Sequence, residues 1–293
     1  MVWEQSESKF RDNQVPIIGM RPMKDVWLIH VDITNACLNE CAHCTRAVRH
    51  VATPFYIDPA TVEQYVIQMR DFPRGIGIMG GEPTIHPDFP DICRRLNEVD
   101  HEGGYALFTA VDPKTSRFRS LIERTFNKVH YTDHTLVNRH HPVLLSANEI
   151  VPDPILRKEL LDRCWLQHEW SATMTPKGGF FCEIAGVLDM LFDGPGGFPI
   201  VPHWWDRTDI QEQVDRWCGL CGMSLPLGHD TTDKDLRDHV TPLMYKRLLE
   251  IQSPYADQGH CIIHHYTFDK TEIEKRKNLF EGKSLSILTD RQR

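Results

Sequence analysis

The order of hydrophobic and polar residues predicts a strand and then a helix near the start of the chain. The segment DVWLIHVDIT is rich in Val and Ile and alternates in part, which predicts a strand that ends near Thr34. In DPATVEQYVIQMRDF, apolar residues recur at helical spacing, and Asp58 and Pro59 are typical of an N-cap and a first helical turn. A strand followed by a helix is the first half of a βαβ unit.

The alternation of strands and helices continues in the following segments. The apolar run in GIGIMGGEP predicts a second strand that ends at two glycines, and PDFPDICRRLNEV predicts the next helix. GGYALFTA predicts a third strand, and LIERTFNKVHYTDH predicts a helix or turn followed by a fourth. We therefore expect parallel βαβ units, in which ligands bind beyond the carboxyl ends of the strands.

The pattern changes after about residue 150. EIVPDPILRKELLDR predicts a helix, SATMTPKGGFFCEI predicts a hairpin whose strands flank Pro-Lys-Gly-Gly, and FDGPGGFPIVPHWW predicts a loop dense in Gly and Pro. This change predicts a domain boundary. We expect an N-terminal extension over residues 1–24, a core domain over 25–155 and a second region over 156–293.

Composition and charge narrow the classes of function. The chain of 293 residues is 41% hydrophobic and 25% charged, which is ordinary for a globular protein. Its formal net charge is -8 and it has no long run of Lys or Arg, so we expect no nucleic-acid partner. No apolar stretch approaches the length of a membrane span, and the polar N-terminus has no signal-peptide core. We therefore expect a cytoplasmic protein with no membrane partner.

The cysteines carry the clearest chemistry. The segment CLNECAHC places Cys37, Cys41 and Cys44 after the first predicted strand, and GGEP follows the second. Thiolate sulfur is a natural ligand for zinc and for iron–sulfur clusters, and a [4Fe–4S] cube held by three cysteines leaves one iron open. An open metal position is typical of a working site, whereas structural sites are closed. We expect Cys93 and Cys261, outside both cysteine groups, to be buried or structural thiols.

The CxxxCxxC spacing followed by GGEP resembles the radical S-adenosylmethionine (radical SAM) enzymes. The resemblance implies an α/β fold with a partial (β/α)6-type barrel. It implies that a [4Fe–4S] cluster is bound by Cys37, Cys41 and Cys44 and that its open iron binds S-adenosylmethionine (SAM). It also implies that SAM contacts come from Gly80, Gly81, Glu82 and Pro83, with His43 near the adenine.

A second group of cysteines forms a complete tetrahedral set: Cys164, Cys182, Cys218 and Cys221. The group resembles the twitch domain, the shortened form of the SPASM domain, as in enzymes of the butirosin aminocyclitol dehydrogenase type. This resemblance implies a small C-terminal α+β domain that holds an auxiliary [4Fe–4S] cluster. Gly178 leaves three residues before Cys182, whereas the family pattern has four. A four-cysteine zinc site is the alternative.

The resemblance implies an enzyme that cleaves SAM reductively to a 5′-deoxyadenosyl radical, which abstracts hydrogen from its substrate. A flavodoxin or ferredoxin would supply the electron, and an auxiliary cluster suits a dehydrogenation. With no added domain for a precursor peptide or cobalamin, we expect a small metabolite such as a sugar or cyclitol. The sequence does not single out a catalytic base. The candidates are His140, His141, His168, Glu169 and Glu183.

Two other classes of function stay open. One is a radical SAM maturase or peptide-modifying enzyme. The other is a two-metal cysteine module without catalysis that binds partners and is either zinc-bound or electron-transferring. In a zinc site, His43 or His50 would complete the three-cysteine group.

Overall fold

A computed structural model describes residues 22–134, 140–164, 166, 171–227 and 235–280. Its main sheet has six strands: Leu28–Thr34 (β1), Gly75–Gly80 (β2), Tyr105–Thr109 (β3), Lys128–Tyr131 (β4), Ser171–Thr175 (β5) and Gly178–Phe180 (β6). The strand order is β4-β3-β2-β1-β5-β6, and β6 is antiparallel to a set that is otherwise parallel. The protein is thus mixed α/β with a mostly parallel sheet, which is consistent with a partial barrel.

Helices connect the strands as the sequence pattern predicts. They are Pro59–Gln68 (α1), Phe89–Leu96 (α2), Arg119–Thr125 (α3), Ala147–Ile150 (α4), Pro154–Asp162 (α5), Glu183–Leu191 (α6), Gln211–Trp217 (α7), Pro242–Glu250 (α8), Pro254–Asp257 (α9) and Lys270–Phe280 (α10). A second, parallel sheet pairs Asp238–Val240 (β7) with Cys261–Ile263 (β8). Asp58 caps α1, as predicted, because its carboxylate accepts the backbone N–H groups of Ala60 and Thr61. No helix among the described residues has the length and hydrophobicity needed to cross a membrane.

Strand β1 occupies the position where the strand order reverses. The chain passes from β1 to β2 on one side and later returns to β5 on the other side. In open α/β sheets, such a switch point is where ligands bind, at the carboxyl ends of the strands. The loop that follows Thr34 therefore begins at the most favourable position in this sheet for a ligand site.

Both faces of β1 are buried, although its residues alternate between apolar and polar. Ile29, Val31 and Ile33 belong to the main hydrophobic core, and successive side chains of a strand point to opposite faces. His30 and Asp32 therefore lie on the other face, where they are 0% and 3% exposed. Alternation usually indicates a solvent-facing side of a sheet, but here it marks an internal polar face.

The predicted hairpin over SATMTPKGGFFCEI is present, but its second strand is shorter than we expected. Thr175 pairs with Gly178, so Pro176 and Lys177 form the turn and the two glycines belong to β6. The predicted strand FFCEI is wrong beyond Phe180, because Cys182 serves as the N-cap residue of α6. Gly178 has φ +115°, and a Cβ there would lie 2.6 Å from the Phe198 carbonyl oxygen. This close approach explains the glycine and defines the register of the hairpin.

The hairpin belongs to the same sheet as the strands of the first half. β5 pairs with β1, and residues from both sides of the expected boundary near residue 155 contribute to one core. The division into a core domain and a second region stays a prediction. Of the N-terminal extension predicted over residues 1–24, only residues 22–24 lie within the described ranges.

Candidate functional site

The GGEP segment and the cysteine loop lie side by side at the carboxyl edge of the sheet. Thr34 pairs with Gly80 in the β1–β2 register. The Gly81 N–H donates to the Thr34 carbonyl at 2.8 Å, and the Glu82 N–H donates to the Ala36 carbonyl at 2.7 Å. Both motifs therefore lie at one edge of the sheet, as expected for segments that follow neighbouring parallel strands. The backbone immediately before Cys37 is held by hydrogen bonds from the GGEP segment.

The two glycines permit this approach. Gly80 has φ +144°, and a Cβ there would lie 2.0 Å from the Thr34 carbonyl oxygen. A Cβ at Gly81 would lie 2.1 Å from the Ala36 carbonyl oxygen. Both distances are far shorter than a nonbonded contact, so any side chain would separate the two loops. Glycine is therefore required by the contact between the loops.

Glu82 is 0% exposed and holds the ends of two strands together. Its Oε1 accepts hydrogen bonds from the Thr84 N–H, the Thr84 hydroxyl and the Thr109 hydroxyl, at 3.1, 2.6 and 2.7 Å. Its Oε2 accepts the Ala110 N–H at 2.7 Å. The carboxylate thus connects the loop after β2 to the end of β3. The prediction that Glu82 contacts SAM stays a prediction, and the observed bonds give it a bracing role.

The three thiols of the cysteine loop lie close enough to influence one another. Burial raises the pKa of Cys37, to which Cys44 adds a repulsion. Burial raises the pKa of Cys41 to about 12, with repulsion from both other thiols. The pKa of Cys44 is also raised by burial. A bound metal would displace the thiol protons, because metal ligation requires thiolates.

The spacing of the sulfur atoms separates two kinds of metal site. Two thiolates on one zinc ion stand about 3.8 Å apart, because each Zn–S bond is about 2.3 Å and the angle is tetrahedral. Among the described residues, a group of three ligand atoms within 4.8 Å of one another is formed by Cys41, His134 and His140, and neither cysteine group meets that spacing. A four-iron cube is larger than one ion and holds its ligands farther apart. That both cysteine groups hold clusters stays a prediction.

His43 and His50 point towards the C-terminal strands. The Nδ1 of His43 accepts the His239 N–H at 3.3 Å, and the two rings lie 4.7 Å apart. The ring nitrogens of His50 bond Ser253 and Asp238, each at 2.8 Å. Burial alone would raise the pKa of Asp238, but the neighbouring His50 and His43 hold it below its usual range. These contacts fasten β7 to the cysteine loop, and the predicted adenine contact of His43 stays a prediction.

The second cysteine group surrounds a cavity near the hairpin. Cys164 follows α5, Cys182 precedes α6, and Cys218 and Cys221 follow α7. All four line one cavity, together with apolar side chains that include Phe181 and Trp217. Burial raises the pKa of Cys182 well above its usual value. The other three thiols raise it further, and a hydrogen bond from the Ala185 backbone opposes the rise. The cavity brings together all four residues that the sequence assigns to an auxiliary site.

A buried polar network connects the two cysteine groups. Arg46, two residues after Cys44, donates to Glu183, which directly follows Cys182, at 2.9 Å. Burial alone would raise the pKa of Glu183, but Arg46 and His30 outweigh it and hold that pKa well below its usual range. Arg46 also pairs with Asp32 at 3.3 Å, and burial raises the pKa of this second carboxyl. Sequence reasoning missed Arg46 because its partner is 137 residues away.

The candidate bases have different surroundings. His168 and Glu169 lie outside the described residues. His141 bonds the Gly222 carbonyl through Nε2 at 2.9 Å, and burial lowers its pKa. The His140 N–H donates to the Ala42 carbonyl at 2.9 Å, which places this residue against the cysteine loop. His134, which the sequence analysis did not select, lies with its Nδ1 2.8 Å from the Cys41 sulfur.

Comparison with known proteins gives structural matches at low identity, among them two structures of BtrN. No protein-family model matches the sequence, and no curated protein matches it. A crystal structure of BtrN in complex with AdoMet and 2-DOIA matches with 15% identity and a TM-score of 0.40, covering 67% of this chain and 88% of that chain. A selenomethionine BtrN structure in an open conformation matches with the same identity and TM-score, covering 67% and 86%. Neither match assigns this chain to a family or a function.

Proposed function

We propose that the protein is a radical SAM enzyme that acts on a small metabolite. The observation that carries the proposal is the direct bonding of two motifs at one edge of the sheet. Three cysteines follow the central strand β1, and the GGEP backbone donates two hydrogen bonds to the segment immediately before them. Neither motif alone is as specific as this contact between them.

The residues of the first site fit a cluster with one open iron. Cys37, Cys41 and Cys44 supply three thiols from one loop, which leaves one iron of a four-iron cube without a protein ligand. Gly80 and Gly81 allow the neighbouring backbone to approach this loop closely, which leaves main-chain groups at the edge where SAM would lie. Glu82 and Thr109 hold that backbone in place. When bound, the cluster and SAM supply a 5′-deoxyadenosyl radical that abstracts hydrogen from the substrate.

The residues of the second group fit a fully ligated auxiliary cluster. Four cysteines from four chain segments line one cavity, and apolar side chains complete its walls. Such walls exclude water, which influences the potential of an iron–sulfur centre. A second centre near the first favours an oxidation, because it can accept the electron that a dehydrogenation releases. We propose dehydrogenation of a sugar or cyclitol, with a flavodoxin or ferredoxin as electron donor for the first site.

The polar face beneath the cysteine loop suits a substrate with hydroxyl or amino groups. His30, Asp32, Arg46 and Glu183 form this buried face between the two cysteine groups. Arg46 holds the pKa of Glu183 low against the opposing effect of burial, so this carboxylate is ionised and can accept hydrogen bonds.

The proposal is tested by metal content and SAM cleavage in protein reconstituted without oxygen. We expect about eight irons per chain, in two clusters of four, and formation of 5′-deoxyadenosine from SAM and a reductant. The triple variant with Cys37, Cys41 and Cys44 changed to Ala should keep about four irons and lose SAM cleavage. Cys93→Ala is the matched control and should keep about eight irons and full SAM cleavage. Stoichiometric zinc with no SAM cleavage in the unaltered chain would refute the proposal.

A further inference from the structure

A group of metal-ligating side chains lies over the first cysteine loop and is different from either cysteine group. Cys41, His134 and His140 each present one ligand atom, and the three atoms lie within 4.8 Å of one another. The Cys41 sulfur is 2.8 Å from the His134 Nδ1, and the two imidazole rings are 5.4 Å apart. Cys41 is 4% exposed, whereas both histidines are partly exposed.

The fold brings these residues together from distant parts of the chain. His134 follows β4, so it leaves the sheet at the same carboxyl edge as the cysteine loop after β1. His140 is fastened to that loop, because its N–H donates to the Ala42 carbonyl at 2.9 Å. Ala42 is the neighbour of Cys41 in the sequence. Both histidines are thus held at the cysteine loop by the backbone arrangement.

The chemistry of this group suits a single zinc ion. Zinc takes thiolate and imidazole ligands, and in a tetrahedral site a sulfur and a nitrogen ligand stand about 3.6 Å apart. The observed spacing requires the Cys41–His134 pair to open by less than an ångström. Three protein ligands leave the fourth position for water, as in zinc sites of the open type. On binding, the zinc ion would replace the Cys41 thiol proton, which passes to solvent.

We propose that Cys41, His134 and His140 form a binding site for one Zn²⁺ ion. The site differs from the zinc site considered from the sequence, whose histidine was His43 or His50. Because Cys41 is also a ligand of the proposed cluster, zinc and the cluster exclude each other. Zinc bound before iron delivery would therefore block assembly at the first site. The zinc site itself depends on no part of the proposed SAM cleavage.

Direct metal titration tests the site in the full chain, stripped of metal by chelators and kept reduced. With Cys218 and Cys221 changed to Ala to remove the second cysteine group as a zinc ligand set, we expect one Zn²⁺ per chain in competition with a chromophoric chelator. With Co²⁺ as probe, we expect a sulfur-to-metal charge-transfer band. His134→Ala and His140→Ala should each weaken binding at least about tenfold, since even loss of a residue that only orients a ligand costs 10–100-fold. Proton release on binding should fall in Cys41→Ala.

Two controls separate this site from a cysteine-only site. Cys37→Ala removes a cluster ligand outside the proposed zinc site and should bind Zn²⁺ as tightly as the unaltered chain. His203→Ala removes a histidine with a 59% exposed side chain, beside Asp71, and should also leave affinity unchanged. Unchanged Zn²⁺ affinity in both His134→Ala and His140→Ala, with the fold verified by circular dichroism, would overturn the proposal. Equal weakening in Cys37→Ala would overturn it as well.

Competition between zinc and cluster assembly provides an independent test of the zinc site, measured as iron content. In the same variant that lacks Cys218 and Cys221, zinc loaded before reconstitution should lower iron incorporation from about four to about none per chain, and adding His134→Ala and His140→Ala should restore about four irons in the presence of zinc. Equal iron content with and without zinc would overturn the exclusion. If no cluster assembles under any condition, the proposed SAM cleavage fails, while the titration still decides the zinc site.

Discussion

Replacing Glu82 with Gln tests whether this buried carboxylate braces the loop that contacts the cysteine segment. The carboxylate accepts four hydrogen bonds, from Thr84, Thr109 and Ala110. A Gln side chain has the same shape, but one of its two terminal atoms is a donor. The least damaging orientation places the amide nitrogen towards the Ala110 N–H, where two donors then face each other. In the other orientation the amide nitrogen would face the Thr84 N–H, and the Thr84 and Thr109 hydroxyls would have to turn and accept, so both of their bonds to the carboxylate would be lost.

The magnitude follows from these contacts. A hydrogen bond to a charged group contributes about 1.5–3 kcal/mol, and the three remaining bonds lose part of their strength because their acceptor becomes neutral. We expect Glu82→Gln to lower the free energy of unfolding by about 2–4 kcal/mol. Glu82→Ala should cost more, since it leaves four donors without this acceptor. Glu98→Gln, at a side chain that is 56% exposed and pairs with Arg94, is the matched control.

Urea unfolding of the metal-free chain measures this effect without any contribution from bound SAM or clusters. The midpoint should fall for Glu82→Gln and stay near that of the unaltered chain for Glu98→Gln, with similar slopes. If Glu82 acted only by contacting SAM, the reconstituted variant would show a raised KM for SAM with unchanged stability. A change in unfolding free energy below about 0.5 kcal/mol, the range of neutral surface substitutions, would refute the bracing role.

Three further predictions concern the contacts around the two sites. Gly81→Ala should greatly reduce iron binding at the first site, because the added Cβ would lie 2.1 Å from the Ala36 carbonyl oxygen. Gly75→Ala is the control and should retain iron binding in the same iron analysis, because its Cβ would lie 3.4 Å from the nearest atom. Arg46→Met should lower the unfolding free energy by about 3–5 kcal/mol, because it removes the guanidinium that pairs with both Asp32 and Glu183 in a buried position. Urea titrations should show that adding Glu183→Gln costs less than the sum of the single effects. Cys218→Ser should leave about four irons and retain SAM cleavage, as iron analysis and chromatography of 5′-deoxyadenosine can check.

Local signals in the sequence predict the parts of the fold that short segments determine. The Val and Ile content of DVWLIHVDIT gives β1, and Asp58 with Pro59 gives the start of α1. The glycine pair at the end of β2 indicates a close approach of backbone, and the structure identifies its partner as the segment before Cys37. These features depend on residues near one another in the chain, so a pattern can reveal them.

Contacts between distant residues could not be predicted in the same way. The alternation in β1 is identical for a solvent-facing side and for the buried polar face on which His30 and Asp32 lie. Cys41 and His134 are 93 residues apart, and no spacing rule connects them. The sequence also predicts the wrong end for β6. FFCEI has the composition of a strand, but Glu183 is the first residue of the buried helix α6. Burial and packing decide these cases, and they appear only in the folded chain.

The central claim is that the three-cysteine site has one open metal position that receives SAM. The most direct measurement is electron paramagnetic resonance of the reduced protein, with Cys218 changed to Ser to silence the second site, before and after SAM is added. We expect the signal of the remaining cluster to change shape and position when SAM binds, and to disappear in the variant that lacks Cys37, Cys41 and Cys44. A cluster signal that SAM leaves unchanged, or one that survives the loss of these three cysteines, would contradict the account.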